Sequence, residues 1–426
     1  MLIMPALKRE LGLFETTLMG VGIILGAGIY VLIGAATGIA GNSVWMSFAI
    51  ASIVAIFTGL SYAEFSSRFS DDSGEYDYVK RTVSERWGFV VGWMMVFTLL
   101  ISAAAVALGF AGYFVRLFSY LDFGIVAIAI ATIILFSFIS YWGIKQAAWL
   151  NILFTFLETF GLLFIIYIGL GKIGSVNYME MPNGFGGVIS AAALVFFAFI
   201  GFETIVKLAE ETRTPKKTVP RAILLSILIS TVIYILVAIS VVSILSWDKL
   251  AVSTAPLADV AAVALGAYAF LALSIIALFS TGNTILIILI GASRQIYGIC
   301  KNYKKLSNLS KVSKWRQTPY IAIIFTAAVS ICFSLIGNIG TVAEITNFAV
   351  FATFILVNAA LIVMRVKEIK PYTKGFRVPF SIRKVPVPAV LGLVSSLFLL
   401  LQLPMFVILS GLGLLASGAV VHRIVS

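Results

Sequence analysis

The sequence has few charged residues. Asp, Glu, Lys and Arg make up 11% of the 426 residues, whereas 61% are hydrophobic and the mean hydropathy is +1.08. A soluble domain carries roughly 25% charged residues, and even a large hydrophobic core needs a polar surface around it. The composition therefore excludes a soluble protein and indicates an integral membrane protein.

Residues that serve catalysis and metal binding are also scarce. The chain has one histidine, His422, and two cysteines, Cys300 and Cys332, in or next to apolar stretches. We interpret both cysteines as packing residues and predict no disulfide. No GxxxxGK[ST] phosphate-binding motif and no catalytic constellation occur in the sequence. The sequence therefore predicts neither an ATP-driven pump nor an enzyme, and neither a metal site nor a cofactor.

Apolar stretches of about 20 residues, which suit a hydrocarbon core of roughly 30 Å, recur along the chain. They predict an all-α integral membrane protein of twelve transmembrane helices in one polytopic domain, residues 1–426. The predicted spans are residues 14–38, 44–66, 85–117, 122–141, 148–170, 186–207, 218–245, 264–300, 318–336, 340–365, 386–403 and 405–422.

The distribution of basic residues predicts the orientation, because cytoplasmic loops are enriched in Lys and Arg. If both termini are cytoplasmic, only Arg116, Lys172 and Lys249 of the 30 basic residues fall outside the cytoplasmic segments. We therefore expect a multi-pass plasma-membrane protein with cytoplasmic N and C termini. A basic face against the anionic lipid bilayer accounts for the net charge of +12 without a nucleic-acid partner. The segment DDSGEYDYVKR at 71–81 is expected to be mostly a solvated cytoplasmic loop.

Four glycines lie in the middle of the first span, in the stretch GVGIILGAGIY at 20–30. A glycine inside a helix costs about 1 kcal/mol relative to alanine. One interpretation is a surface for close helix packing, because Gly22 and Gly26 have the small-xxx-small spacing. The other is an interrupted helix whose free backbone groups line a cavity and bind a ligand. The outer half-helix would then present N–H groups to a carboxylate.

A second span, within FFAFIGFETIVKLAEETRTPKKTVPRAI at 196–223, contains Gly201 and Glu203. A carboxylate inside a membrane span is energetically expensive and marks a candidate functional site. The two glycine sites each open a block of five predicted spans, residues 1–170 and 186–365, and residues 386–426 form the last two. Weakened helices at corresponding positions of two halves are typical of inverted-repeat transporters.

These motifs resemble the amino acid–polyamine–organocation (APC) superfamily. GVGIILGAGIYVLIG is similar to its first-helix motif, and FAFIGFE followed by AEETRTPKKTVPRAI is similar to helix 6 and the next loop. Residues 280–298, 318–322 and 344–365 resemble helices 8, 9 and 10. The resemblance covers nearly the whole chain. It implies a leucine-transporter-like 5+5 inverted repeat with discontinuous helices 1 and 6, and it implies amino acid transport.

The resemblance also implies that backbone groups hold the shared part of an α-amino acid. The substrate carboxylate would meet N–H groups of residues in the first break: Gly26, Ala27 and Gly28. The substrate ammonium would meet carbonyl groups at both breaks: Ile23, Ile24, Phe197, Ala198 and Ile200.

Side chains around this site are expected to be apolar. Phe197 aligns with an aromatic gate over the substrate in relatives, and a lipid-facing or core position is the alternative. The expected side walls are four apolar residues: Met94, Phe97, Phe202 and Phe351. Because no acidic residue besides Glu203 is an obvious partner for a cationic side chain, we expect neutral amino acids as substrates.

Helix 5 carries a carboxyl group, Glu158, deep in its span. Several proton-coupled relatives have a lysine at the corresponding position, so a lysine-borne mechanism does not transfer to this chain. Three interpretations stay open: Glu158 carries a proton, it binds Na⁺ together with the hydroxyls of Ser280 and Thr281, or it is a hydrogen-bonded acid without a role in coupling. Glu203 is a second coupling or gating candidate, and alternatively it braces the break in helix 6.

The leading interpretation is a secondary active transporter that takes up amino acids with protons by alternating access. The alternatives of the same fold are a sodium-coupled symporter and an exchanger of amino acids or amines that needs no ion. A non-transporting amino acid sensor is the alternative from another class. Sensors usually append a soluble output domain, and channels lack paired helix breaks, so both are less favoured than a transporter.

Overall fold

The computed structural model describes residues 11–69, 74–120, 123–142, 147–300, 303–313, 315–369 and 375–425. These residues are mostly helical. The α-helices are α1 (Leu13–Leu25), α2 (Ala27–Ala40), α3 (Val44–Arg68), α4 (Glu75–Thr82), α5 (Glu85–Leu117), α6 (Ile125–Trp142), α7 (Ala147–Gly169), α8 (Gly184–Val195), α9 (Pro215–Ile244), α10 (Trp247–Val252), α11 (Pro256–Leu265), α12 (Ala267–Cys300), α13 (Tyr320–Ser334), α14 (Ile339–Val366), α15 (Val387–Leu400) and α16 (Met405–Val425).

Short 3-10 helices and one small ribbon complete the described secondary structure. The 3-10 helices are Gly41–Ser43, Leu170–Lys172, Phe196–Phe199, Phe202–Glu211 and Lys304–Ser310. The strands β1 (Ser381–Ile382) and β2 (Val385–Pro386) pair antiparallel, with Ser381 opposite Pro386. This ribbon lies between α14 and α15.

Nine helical segments within the described residues are long and apolar enough to cross a membrane. Four further apolar helices are shorter: Leu13–Leu25, Pro256–Leu265, Tyr320–Ser334 and Val387–Leu400. An all-α, multi-pass membrane protein is therefore confirmed. The count of twelve crossings and the two five-helix repeats stay predictions.

The helix packing places the two glycine sites next to each other. α1 packs along α9, α2 packs against α8, and α3 packs against both α8 and α9. The largely buried α5 packs against α12 and α14. Apolar side chains on α6, α7 and α16 remain exposed, as expected for surfaces that face the hydrocarbon of a bilayer.

The expected solvated loop at 71–81 is wrong for the part that the structure describes. Residues 75–82 form α4, in which Glu75 and Tyr78 are buried. The ring of Tyr78 stacks on Phe65 of α3 with a centroid distance of 4.5 Å. An aromatic side chain that reaches the end of α3 therefore holds this segment against the helices. Residues 71–73 lie outside the described residues.

Candidate functional site

The first glycine site separates two helices. α1 ends at Leu25 and α2 begins at Ala27, with Gly26 between them at φ −7° and ψ −170°. A Cβ atom at Gly26 would lie 3.5 Å from the carbonyl oxygen of Ile23. The space around Gly26 is therefore ordinary, and close packing does not explain this glycine.

The second glycine site follows α8. A 3-10 turn at Phe196–Phe199 is followed by Gly201 at φ +124°, a backbone region that favours glycine, and by the 3-10 helix Phe202–Glu211. The carboxylate of Glu203 accepts a 2.8 Å hydrogen bond from the N–H of Gly201, and the hydroxyl of Thr204 donates to the Gly201 carbonyl at 2.7 Å. The Glu203 carboxylate is therefore engaged with the backbone of this turn, and both of its roles, bracing the break and coupling, stay predictions.

The two glycine sites are in direct backbone contact. A Cβ atom at Gly28 would lie 2.6 Å from the Cα atom of Ala198. A Cβ atom at Gly201 would lie 2.8 Å from the Ile23 side chain and 3.1 Å from its carbonyl oxygen. The glycines at 28 and 201 thus allow an approach that any side chain would prevent.

The 3-10 turn at Phe196–Phe199 directs its side chains to three faces, because residues three apart lie on the same face of such a helix. Phe196 and Phe199 share a face and are fully buried, with Phe196 packed on Phe351 at a centroid distance of 4.8 Å. Ala198 faces Gly28. Phe197 is left on the remaining face, and Ile200 follows the turn in a non-helical conformation. Phe197 is 6% exposed, so the lipid-facing alternative for this residue is wrong.

Two of the predicted carbonyl groups converge on one hydroxyl. The hydroxyl of Tyr234, on α9, lies 2.6 Å from the carbonyl oxygen of Ile24 and 2.8 Å from that of Ala198. The carbonyl of Phe197 instead accepts from the N–H of Ile200 at 3.3 Å. Sequence analysis did not identify Tyr234. A phenol in the middle of an otherwise apolar span was the available signal.

The start of α2 contacts α12. The N–H of Ala27 donates a 3.3 Å hydrogen bond to the hydroxyl of Thr284, so one predicted carboxylate-binding group has a protein partner here. Gly28 lies in the first turn of α2, where the N–H groups of an α-helix have no partner within the helix. The hydroxyl of Thr281, a predicted ion ligand, donates to the Ala277 carbonyl of its own helix at 2.6 Å.

The Glu158 carboxyl on α7 lies close to the Ser280 hydroxyl on α12, and the two helices pack against each other. Glu158 is 2% exposed and Ser280 is 1% exposed. In the described part of the chain, the Oε1 atom of Glu158 and the Oγ atom of Ser280 are both buried without a hydrogen-bond partner. Buried polar atoms are nearly always hydrogen bonded, so this pair is a candidate place for an added proton or ion.

A missed residue, Asn347 of α14, caps the end of α8. Its side-chain NH₂ donates to the carbonyl oxygens of Ala193 and Leu194 at 2.7 and 2.9 Å. These carbonyls belong to the last turn of α8, where intrahelical partners run out. Asn347 therefore stabilises the point at which α8 gives way to the 3-10 turn.

The predicted wall residues are apolar and differ in their surroundings. Met94 and Phe351 are fully buried, and Phe202 packs edge-on against Tyr62 at 5.8 Å. Phe97 is partly buried and packs on Trp93 at 5.0 Å.

The side of the site formed by α2 is covered. α10 and α11 pack onto α2, and a Cβ atom at Gly34 would lie 2.7 Å from the carbonyl oxygen of Leu250. An ion pair of 3.1 Å between Arg116 and Asp259 joins α5 to α11. On the other side of the break, Ile23 is 38% exposed. The α2 side of the site is thus covered by α10 and α11.

The chain is similar to known membrane transport proteins. The model of a family described as amino acid permease matches residues 11–413. The chain is 32% identical to the branched-chain amino acid permease BcaP of Bacillus subtilis, over 99% of this chain and 94% of that protein. It is 30% identical to the methylthioribose transporter of the same organism, with the same coverage. Human cationic amino acid transporter 4 is 27% identical over 86% of this chain and 61% of its own length.

Proposed function

Because the chain belongs to the amino acid permease family, we propose that it is a secondary active transporter that takes up neutral amino acids together with protons. The observation that carries this proposal is the contact of the two glycine sites, at which Gly28 and Ala198 meet and the carbonyls of Ile24 and Ala198 converge. Converging carbonyls beside the first N–H groups of α2 suit the ammonium and carboxylate that every α-amino acid shares.

The substrate class follows from the side chains. Phe197 and Ile200, at and just after the 3-10 turn, are apolar. Glu203, the carboxylate nearest to them in sequence, is engaged with the N–H of Gly201. A cationic side chain would therefore find no unengaged anion among these residues, whereas an apolar one would meet apolar surfaces. The similarity to a branched-chain amino acid permease agrees with this proposal.

The proposed coupling site is the carboxyl of Glu158 with the hydroxyl of Ser280. A proton needs a single acceptor, which the unpartnered Oε1 atom supplies. Na⁺ would need several oxygen ligands, and the hydroxyl hydrogen of Thr281 is directed to the Ala277 carbonyl. We therefore favour H⁺ over Na⁺ as the coupling ion.

The membrane arrangement is part of the same proposal. Twelve crossings in the plasma membrane, with helices 1 and 6 discontinuous and both termini in the cytoplasm, would place α1 on the cytoplasmic side. With α10 and α11 covering α2, the described conformation would then be closed to the outside.

Uptake by the purified protein in proteoliposomes tests the function. A thermal-shift screen against the common amino acids first identifies ligands, because a ligand that binds only the native state raises the melting temperature. Uptake of the best ligand is then measured under an inward pH gradient without sodium, and under an inward sodium gradient at equal pH. Empty liposomes are the control.

We expect accumulation under the pH gradient alone and its loss on addition of a protonophore. Accumulation under sodium alone would make the protein a sodium symporter. Uptake that requires amino acid inside the liposomes, with no effect of either gradient, would make it an exchanger. Binding without any flux would favour a sensor.

A further inference from the structure

Tyr234 is the one described side chain that bonds to the backbone of both glycine sites. Its hydroxyl lies 2.6 Å from the carbonyl oxygen of Ile24 and 2.8 Å from that of Ala198. These residues belong to segments 174 positions apart in the chain (198 − 24). No motif that we recognised includes this tyrosine.

The ring of Tyr234 is held from two sides. It packs against Phe48 of α3 at a centroid distance of 5.4 Å, and edge-on against Phe199 of the 3-10 turn at 5.3 Å. The side chain is completely buried. Its position is therefore set by packing, and the hydroxyl cannot exchange its backbone partners for water.

A phenol hydroxyl has one hydrogen, and here two carbonyl oxygens share it. Both carbonyls lie where an α-helix has been interrupted: Ile24 is in the last turn of α1, and Ala198 is in the 3-10 turn after α8. Carbonyls in such positions lack the usual i+4 partner. Without the hydroxyl, both would lose a buried donor, and the two segments would lose the atom that they have in common.

We propose that Tyr234 is a positioning residue that holds the broken segments of helices 1 and 6 together as one preformed carbonyl pair for the substrate. This inference rests on the proposed amino acid site. Because the carbonyls would contact only the part that all α-amino acids share, Tyr234 acts on affinity for every substrate and leaves the preference among side chains unchanged.

The test is Tyr234→Phe, with Tyr113→Phe as the matched control. Tyr113 is also completely buried and donates a 2.9 Å hydrogen bond to a backbone carbonyl of helix 1, that of Tyr30. It does not join the two glycine sites. Each variant removes one oxygen atom and keeps the ring, so size-exclusion profiles and melting temperatures should change by similar amounts.

The first measurement is independent of any substrate. In hydrogen–deuterium exchange, Tyr234→Phe should speed exchange in peptides covering both 20–30 and 196–204. Tyr113→Phe should leave 196–204 as in wild type. If 196–204 is unchanged in Tyr234→Phe, or is affected equally in both variants, the inference is wrong whether or not the protein binds amino acids.

The second measurement uses the best amino acids from the thermal-shift screen. Tyr234→Phe should raise KM for each of them at least tenfold and by a common factor, with the maximal rate within threefold of wild type. Tyr113→Phe should change KM less than threefold. An unchanged KM, or an equal rise in both variants, would overturn the positioning role. A wild-type protein that binds no amino acid would refute the proposed function, and the exchange result would still decide whether Tyr234 joins the segments.

Discussion

The hydroxyl of Tyr30 donates a 2.6 Å hydrogen bond to the main-chain carbonyl oxygen of Glu158. Both residues are buried. The bond joins the first turns of α2, just after the break, to the middle of α7. The residue that we propose to bind the coupling proton is therefore in direct contact with the half-helix that we propose to bind the substrate.

Gly161 makes room for this bond, and alanine there should break it. A Cβ atom at this position would lie 2.4 Å from the Tyr30 hydroxyl oxygen and 2.8 Å from Ile276. Gly161→Ala should lower stability by about 1–3 kcal/mol through overpacking and should reduce pH-driven uptake. Gly291→Ala, in α12 with open space at its Cβ position, is the control. Equal melting temperatures and uptake for the two variants would contradict this prediction.

The glycines of the first break should differ in their tolerance of alanine. At Gly28 the added carbon would meet backbone atoms of Ala198 at 2.6 Å, whereas at Gly26 the nearest contact would be an ordinary 3.5 Å. Backbone cannot rotate away as a side chain can, so Gly28→Ala should separate the segments. We expect it to weaken substrate binding at least tenfold, with a few-fold loss for Gly26→Ala. Isothermal titration with the best amino acid measures both.

If Gly26→Ala were the more damaging variant, the conformation at Gly26 would matter more than the close approach at Gly28. Gly186→Ala in α8, where the Cβ position is open, controls for a general effect of alanine in a membrane helix. It should bind substrate as wild type does.

A buried ion pair joins the C-terminal end of α3 to α14. Glu64 is fully buried and contacts both Arg365 and Arg68, and its carboxylate also accepts from the N–H of Val378 at 2.9 Å. Removing one partner of a buried pair costs about 3–5 kcal/mol, because the remaining charge stays in a low-dielectric site. Arg365→Met should therefore lower the melting temperature strongly.

The double variant Arg68→Met/Arg365→Met should be less stable than Arg365→Met alone, because it leaves the buried Glu64 carboxylate without either of the arginines that contact it. Thermal unfolding in detergent compares them. Lys384→Met, which removes an exposed 2.7 Å pair with Glu368, should have little effect. A double variant as stable as Arg365→Met would mean that the hydrogen bond from the N–H of Val378, and not Arg68, compensates the Glu64 carboxylate.

Long apolar stretches predicted the main helices well, since every predicted span coincides with helical structure in the described residues. The sequence also predicted part of the environment of Gly28 and Ala198, because helix-weakening residues at corresponding positions of two spans indicate interruptions there. The short helices were not predicted. α4, α10 and α11 lie outside the predicted cores of the spans, and tertiary contacts such as Tyr78 on Phe65 hold them in place.

The bonding partners at the site were not predictable from the same patterns. Tyr234 and Asn347 act on backbone carbonyls far away in sequence, and hydropathy does not reveal which carbonyl a side chain reaches. Thr284, and not Thr281, bonds to the start of α2. Both threonine hydroxyls donate to main-chain carbonyls of α12. Only Thr284, about one helical turn further along α12, also contacts Ala27.

Replacing the carboxyl of Glu158 by an amide should separate substrate binding from proton coupling. Glutamine keeps the size of the side chain and a hydrogen-bonding oxygen opposite Ser280, but it neither takes up nor releases a proton. The main-chain bond from Tyr30 to residue 158 does not depend on the side chain, so the break should keep its geometry. Glu158→Gln should therefore bind substrate with wild-type affinity and exchange it across the membrane, while losing at least roughly nine-tenths of pH-driven accumulation through loss of the proposed proton acceptor. Glu344→Gln, which replaces a partly buried glutamate of α14, is the control and should accumulate substrate normally.

Counterflow and net uptake in the same proteoliposomes measure exchange and accumulation separately. Full accumulation by Glu158→Gln would show that the proton is carried elsewhere and would make Glu203 the next residue to replace. Loss of counterflow together with accumulation would instead show that the carboxyl supports the structure of the site.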